Sequence, residues 1–200
     1  LRKLADLRRD EPRKVWSLFW ALEKLAGRSP EVGRAIIERT RGGDPLVRQQ
    51  AARALSGLKT DEARGRLVDL LRDEDRQVRF FAAFSLARLE AYPDEALPVL
   101  VEALRDGSGG NRSNAARHLE GFGARAGMAV PLLIAGLKDR DPNVYPGALK
   151  ALAAAKDAIG ENLQALAALL RDPDPEVRGR AAEALARLGP AAVAAIPDLV

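Results

Sequence analysis

Arginine outnumbers lysine 25 to 7 in this chain of 200 residues. A guanidinium grips a carboxylate or a phosphate through two parallel hydrogen bonds, which a lysine cannot do. Six arginines fall on segments that the repeat described below turns to one face: Arg34, Arg41, Arg64, Arg66, Arg72 and Arg105. Glu38, Asp69 and Glu102 share that face, so it is expected to be mixed in sign. The charge is also uneven along the chain. Residues 1–66 hold 16 Lys/Arg and 9 Asp/Glu, whereas residues 67–200 hold 16 and 19. A basic leading end suits an acidic partner surface or a nucleic-acid backbone. Ordinary solvated helix faces are the alternative.

Three further places carry unusual residues. Trp16, Phe19 and Trp20 are spaced three and four apart, which clusters them on one helix. They are either an exposed anchor for a partner or packing against a neighbouring helix. Ser108-Gly109-Gly110 replaces a stronger helix start and leaves N–H groups that could face an anion; a loose turn is the plainer reading. Tyr145 stands one repeat after Arg112, so Arg112 and Tyr145 are expected to be neighbours, either at an irregularity of the stack or at a ligand contact. Phe80, Phe81 and Phe84 enlarge one helix, and of Phe81 and Phe84 one is expected in the core and one outside.

Chemistry of other kinds lacks its residues. There is no cysteine, and His118 is the single histidine, so thiolate chemistry is excluded and a histidine-based triad or metal site is improbable. No phosphate loop, nucleophile elbow or zinc-protease motif occurs. No catalytic residue, cofactor or metal is expected, and the chain is read as a non-enzyme. No apolar run reaches the roughly 20 residues that a bilayer span needs, and Leu1-Arg2-Lys3-Leu4-Ala5-Asp6 is not a signal peptide. No membrane partner is expected, and a cytoplasmic location is favoured.

The elements that position these residues recur. The small pair Ala51-Ala52 returns at Ala82-Ala83, Ala115-Ala116, Ala148-Leu149 and Ala181-Ala182, at intervals of 31, 33, 33 and 33 residues. Seven residues earlier stand Asp44, Asp75, Ser108, Asp141 and Asp174; four residues later stand Leu55, Leu86, Leu119, Leu152 and Leu185. A second series, Leu67, Leu100, Leu133, Leu166 and Leu199, keeps the step of 33. Each copy holds two helices. The first opens on an Asp N-cap followed by proline, as in Asp44-Pro45, Asp141-Pro142 and Asp174-Pro175. If Pro142 opens its helix, Pro146 falls on the fifth residue, so that helix should kink or start late. Neither helix can bury its apolar stripe alone, so the copies must stack.

The stretch Asp174-Pro175-Glu176-Val177-Arg178-Gly179-Arg180-Ala181-Ala182-Glu183-Ala184-Leu185 resembles the HEAT repeat family, most closely its phycobilisome-lyase-type HEAT-like form. The resemblance implies an all-α, right-handed α-solenoid of stacked antiparallel helix pairs, about six repeats, forming one array over 1–200. Its approximate units are 1–10 (a partial second helix), 11–43, 44–74, 75–107, 108–140, 141–173 and 174–200 (truncated), with both ends looking like cuts through a longer array. It also implies a polar ladder along the turns, with Asp44, Asp75, Asp141 and Asp174 set against Arg48, Arg79, Arg112 and Arg178. The function expected is a scaffold that binds a protein or peptide, acidic in character, on the concave face of second helices. The residues nominated are Arg34, Arg41, Arg64, Arg66, Arg72 and Arg105, with Trp16, Trp20, Arg112 and Tyr145. Nucleic-acid binding through the basic first half is the alternative. Enzymes of the bilin lyase or helical-repeat DNA glycosylase type come by fold analogy alone, which does not carry chemistry.

Overall fold

The computed structural model describes residues 17, 20–25, 29–91 and 94–192. Residues 20–25 are helical. The following α-helices are α1 (Pro30–Arg39), α2 (Pro45–Ala54), α3 (Asp61–Leu70), α4 (Arg76–Arg88), α5 (Ala96–Asp106), α6 (Gly109–Leu119), α7 (Val130–Gly136), α8 (Val144–Ala154), α9 (Asn162–Ala168) and α10 (Pro175–Leu188). Among the described residues there is no strand. The even-numbered helices are the first helices of successive copies and the odd-numbered ones the second.

Side-chain caps start five of these ten helices. Asp44 accepts from the Leu46 N–H at 2.9 Å, Asp75 from Gln77 and Val78 at 2.9 and 3.0 Å, and Asp174 from Glu176 at 2.9 Å. Thr60 and Ser29 cap α3 and α1 in the same way. The expected cap at Asp141 is corrected. Asp141 accepts from the Asn143 N–H, but the helix opens only at Val144, past Pro142. Pro146 thereby becomes its third residue, where a missing N–H costs nothing because no intrahelical acceptor exists for it. Ser108 is extended before α6, and its hydroxyl makes no cap bond.

The chain divides into two compact units, residues 1–99 and 100–200. In the first, α1 packs on α2, α2 on α4, and α3 on α4. In the second, α6 packs on α8 and α8 on α10, while α7 packs on α8 and α9 on both α10 and α7. First helices thus form one layer of each unit and second helices another, the arrangement of an α-solenoid. The small pairs allow the close approach: Ala51, Ala52, Ala82, Ala83, Ala115, Ala116 and Ala148 are all at 0% exposure. A Cβ at Gly147 would stand 2.9 Å from the Arg117 backbone nitrogen and 3.1 Å from the Ala116 Cβ, so α8 can lie this near α6 only without a side chain there. The leucine series fills the space between layers, with Leu55, Leu67, Leu86, Leu100, Leu119, Leu133, Leu152 and Leu166 buried. Of Phe80, Phe81 and Phe84 it is Phe80 that is buried, while Phe81 and Phe84 are both half-buried and lean edge-on against each other. No described helix is long and apolar enough to cross a membrane.

Candidate functional site

The turns between copies are tied by the ladder, and its carboxylates are not the expected ones. Arg48 reaches both carboxylate oxygens of Asp73 at 2.9 Å and donates to the Gly42 and Gly43 carbonyls at 3.0 Å. Arg112 repeats this on Asp139, at 2.9 and 3.0 Å, and donates to the Gly107 carbonyl. Arg79 and Arg178 likewise hold carbonyls of their own turns. Asp73, Asp139 and Asp172 each also accept the backbone N–H two residues on, at Asp75, Asp141 and Asp174. The capping aspartates and the ladder aspartates are therefore different residues, two apart.

Charge follows this geometry. Burial alone would raise the Asp139 carboxyl, but the Arg112 guanidinium and the Asp141 N–H outweigh it and hold the group below its ordinary value. The hydrogen bond to Asp73 raises Arg48 in turn. Tyr145 occupies the ladder position of the next copy and brings no cation. Asp172 is met instead by the Lys138 ammonium at 2.7 Å, which lowers that carboxyl. Tyr145 itself lies under the Arg180 guanidinium, 4.5 Å from the ring centroid, and Arg180 also donates to the Leu137 carbonyl. Arg112 is thus bound to Asp139 and Tyr145 stacks under Arg180.

The nominated arginines separate into groups. Arg66 is a structural tie: it donates to the Thr40 hydroxyl at 2.7 Å and the Thr40 carbonyl at 3.0 Å, fastening α3 to the end of α1. Arg41 pairs with Glu38 at 2.7 Å, Arg64 with Asp61 at 2.8 Å, and Arg66 reaches Asp69 at 3.5 Å. Arg34 is exposed at the edge of a cavity of about 180 Å3, between α1 and the turn of Leu58 and Thr60. Arg72 and Arg105 are exposed, and their side chains make no hydrogen bond or ion pair with any described residue. Trp20 is 60% exposed, with the Lys24 ammonium 5.8 Å from its ring; Trp16 lies outside the described residues. His118 is half-buried on α6, and among the described residues no three metal-ligating side chains converge.

Arg105 and Arg112 are brought together at a cavity of about 240 Å3 between α5 and α7. Leu104, Leu132 and Ala135 give it an apolar wall, Asp139 closes one side, and Arg105 stands on its rim. Two residues of this surface escaped the sequence reading. Arg41, Arg72, Arg105, Lys138 and Arg171 occupy one position, at or just past the end of each second helix, at intervals of 31, 33, 33 and 33 residues. All five are exposed. Lys138 and Arg171 carry the same period as the leucines, written in charge instead of apolarity.

Paired helices, a stacked alanine seam and an Arg–Asp ladder in the turns define a helical-repeat scaffold. The family model of HEAT repeats matches residues 33–120 and 130–200, and the chain belongs to that family. No curated protein matches it in sequence. Among solved structures it is similar to an engineered protein at 27% identity, covering 84% of this chain and 87% of that one, with a TM-score of 0.55. It is similar to the complex of CpcE and CpcF of phycocyanin lyase from Nostoc sp. PCC7120 at 27% identity, covering 80% and 65%, with a TM-score of 0.52. A designed armadillo repeat protein in complex with the peptide (KR)4 shares the fold at 19% identity, covering 94% and 98%, with a TM-score of 0.59.

Proposed function

We propose that this chain is a non-catalytic scaffold that binds a protein or peptide on its second helices, and that the partner offers carboxylates. The observation that carries this reading is the composition of that surface. Arg72 and Arg105 are exposed without a carboxylate of their own, while Arg41, Arg64 and Arg66 alternate with Glu38, Asp61 and Asp69. A phosphate backbone favours an uninterrupted cationic track; interleaved signs fit the mixed charge of a protein partner. Two of the similar structures are complexes with a polypeptide, one with a peptide and one between CpcE and CpcF.

Nucleic-acid binding is the second reading, favoured by the basic excess within residues 1–66. Fluorescence anisotropy separates the two, using a labelled acidic peptide and labelled DNA and RNA oligomers at about 50 and 150 mM salt. Peptide binding that Arg72→Glu weakens is the expected result. DNA or RNA binding that collapses with salt at a log–log slope of several units, without peptide binding, overturns the proposal.

A further inference from the structure

Four copies place a basic residue and an aspartate side by side at the end of the second helix: Arg72-Asp73, Arg105-Asp106, Lys138-Asp139 and Arg171-Asp172. The aspartates Asp73, Asp139 and Asp172 hold the turns together. Arg72 and Arg105 hold nothing among the described residues. A cation at a helix C-terminus gains a little from the helix dipole, but this gain asks for no fixed position, and the column keeps one.

The column has a pitch. In the second unit, the cavity lined by both Leu104 and Leu132 puts α5 beside α7, and α7 packs against α9. Helices packed side by side stand about 8–10 Å apart. A polypeptide crossing them meets one cation per step of that length. A β-strand advances about 3.3 Å per residue and alternates its faces, so the residue three further on, about 10 Å away, points away from the first. A polyproline-II chain advances about 3.1 Å and repeats its face every third residue, which gives about 9 Å per turn.

We propose that, within the second unit, the second-helix ends bind an acidic segment in polyproline-II conformation with a carboxylate at every third residue, one carboxylate per repeat. Arg105 takes one carboxylate on the rim of the 240 Å3 cavity, and the apolar wall of Leu104, Leu132 and Ala135 receives the residue between carboxylates. Lys138 keeps donors to share, because its ammonium has three and Asp172 takes one at 2.7 Å, with the lysine side chain still 52% exposed. In the first unit Arg41 and Arg72 form the corresponding pair. This inference rests on the peptide-scaffold reading and adds the register and conformation of the ligand.

The test uses the chain as it is and three labelled peptides: (Glu-Pro-Pro)5, a block peptide of the same composition with five Glu followed by ten Pro, and (Lys-Pro-Pro)5. Anisotropy at low salt should show the periodic acidic peptide binding about tenfold more tightly than the block peptide, as several matched ion pairs of about two- to fivefold each would give. Arg105→Glu should weaken it about fivefold, while Arg105→Lys retains most of the affinity. Lys150→Glu, an equal charge change on an exposed position of α8, should change it less than twofold. Unchanged thermal unfolding by circular dichroism shows that the variants fold. Equal affinity for the periodic and block peptides overturns the register and leaves the peptide-scaffold reading standing. Binding of the basic peptide alone overturns the acidic ligand, and binding of none of the three overturns this inference, with the scaffold reading then decided by the oligomer titration.

Discussion

Replacing Asp139 by alanine removes one rung of the ladder and should destabilise the protein by about 2–3 kcal/mol. Asp139 accepts two guanidinium bonds from Arg112, at 2.9 and 3.0 Å, and the Asp141 N–H at 2.8 Å. The two side chains are 27% and 17% exposed. Breaking a fully buried pair costs about 3–5 kcal/mol and breaking a surface pair less than about 1, so a pair this far from water should cost about 2. The lost backbone bond adds about 1 kcal/mol. For a chain of this size the midpoint of thermal unfolding should fall by about 5–10 °C. Urea unfolding followed by circular dichroism would give the free energy for Asp139→Ala, Arg112→Ala and the double variant. The two singles should be non-additive by about 1–2 kcal/mol, since each removes the same contact. A loss below about 0.5 kcal/mol for Asp139→Ala, or simple additivity, would refute the ladder as a source of stability.

Because Asp139 is held below the ordinary carboxylate value, its stabilisation is present above the unfolded value of about 3.9 and disappears as pH falls through the lower folded one; acid titration of Asp139→Asn should therefore show a shallower loss of stability below about pH 4 than the parent. Tyr145→Arg should return an arginine to Asp172, so that Lys138→Ala, costing about 0.5–1 kcal/mol in the parent, costs close to nothing in that background; equal costs in both would show that Tyr145 does not determine the partner of Asp172. Gly147→Ala should destabilise by about 1–2 kcal/mol, because its Cβ meets the Arg117 backbone. Gly65→Ala, within α3 and with nothing within 4 Å of its Cβ, should stabilise by about 0.5–1 kcal/mol; differential scanning calorimetry reads both signs.

The stacking was legible in the sequence because burial leaves a periodic mark. Ala51, Ala82, Ala115, Ala148 and Ala181 share a phase, and all are at 0% exposure. The late start of α8 was legible too, since two prolines four residues apart cannot both sit in one first turn. The ladder partners were not. Asp73 and Asp75, Asp139 and Asp141, and Asp172 and Asp174 recur with the same period, so spacing alone cannot tell the cap from the rung. That choice depends on which carboxylate the arginine of the preceding turn can reach. The fates of the arginines were equally hidden. Arg66 and Arg72 look alike in sequence, and only the position of the Thr40 carbonyl and hydroxyl makes the first a tie and leaves the second exposed.

The lysine rung at Asp172 also sets how this molecule should yield to force. Arg112 binds its carboxylate at two atoms and its own turn at a third; Lys138 meets Asp172 through one flexible, solvated ammonium. A load applied to the chain ends shears these turns in series, so the weakest clasp opens first. Pulled in an optical trap, the segment beyond Asp172 should peel away at lower tension than its neighbours, and Tyr145→Arg should raise that first rupture. The array would then act as a graded spring whose softest coil is chosen by a single aromatic residue.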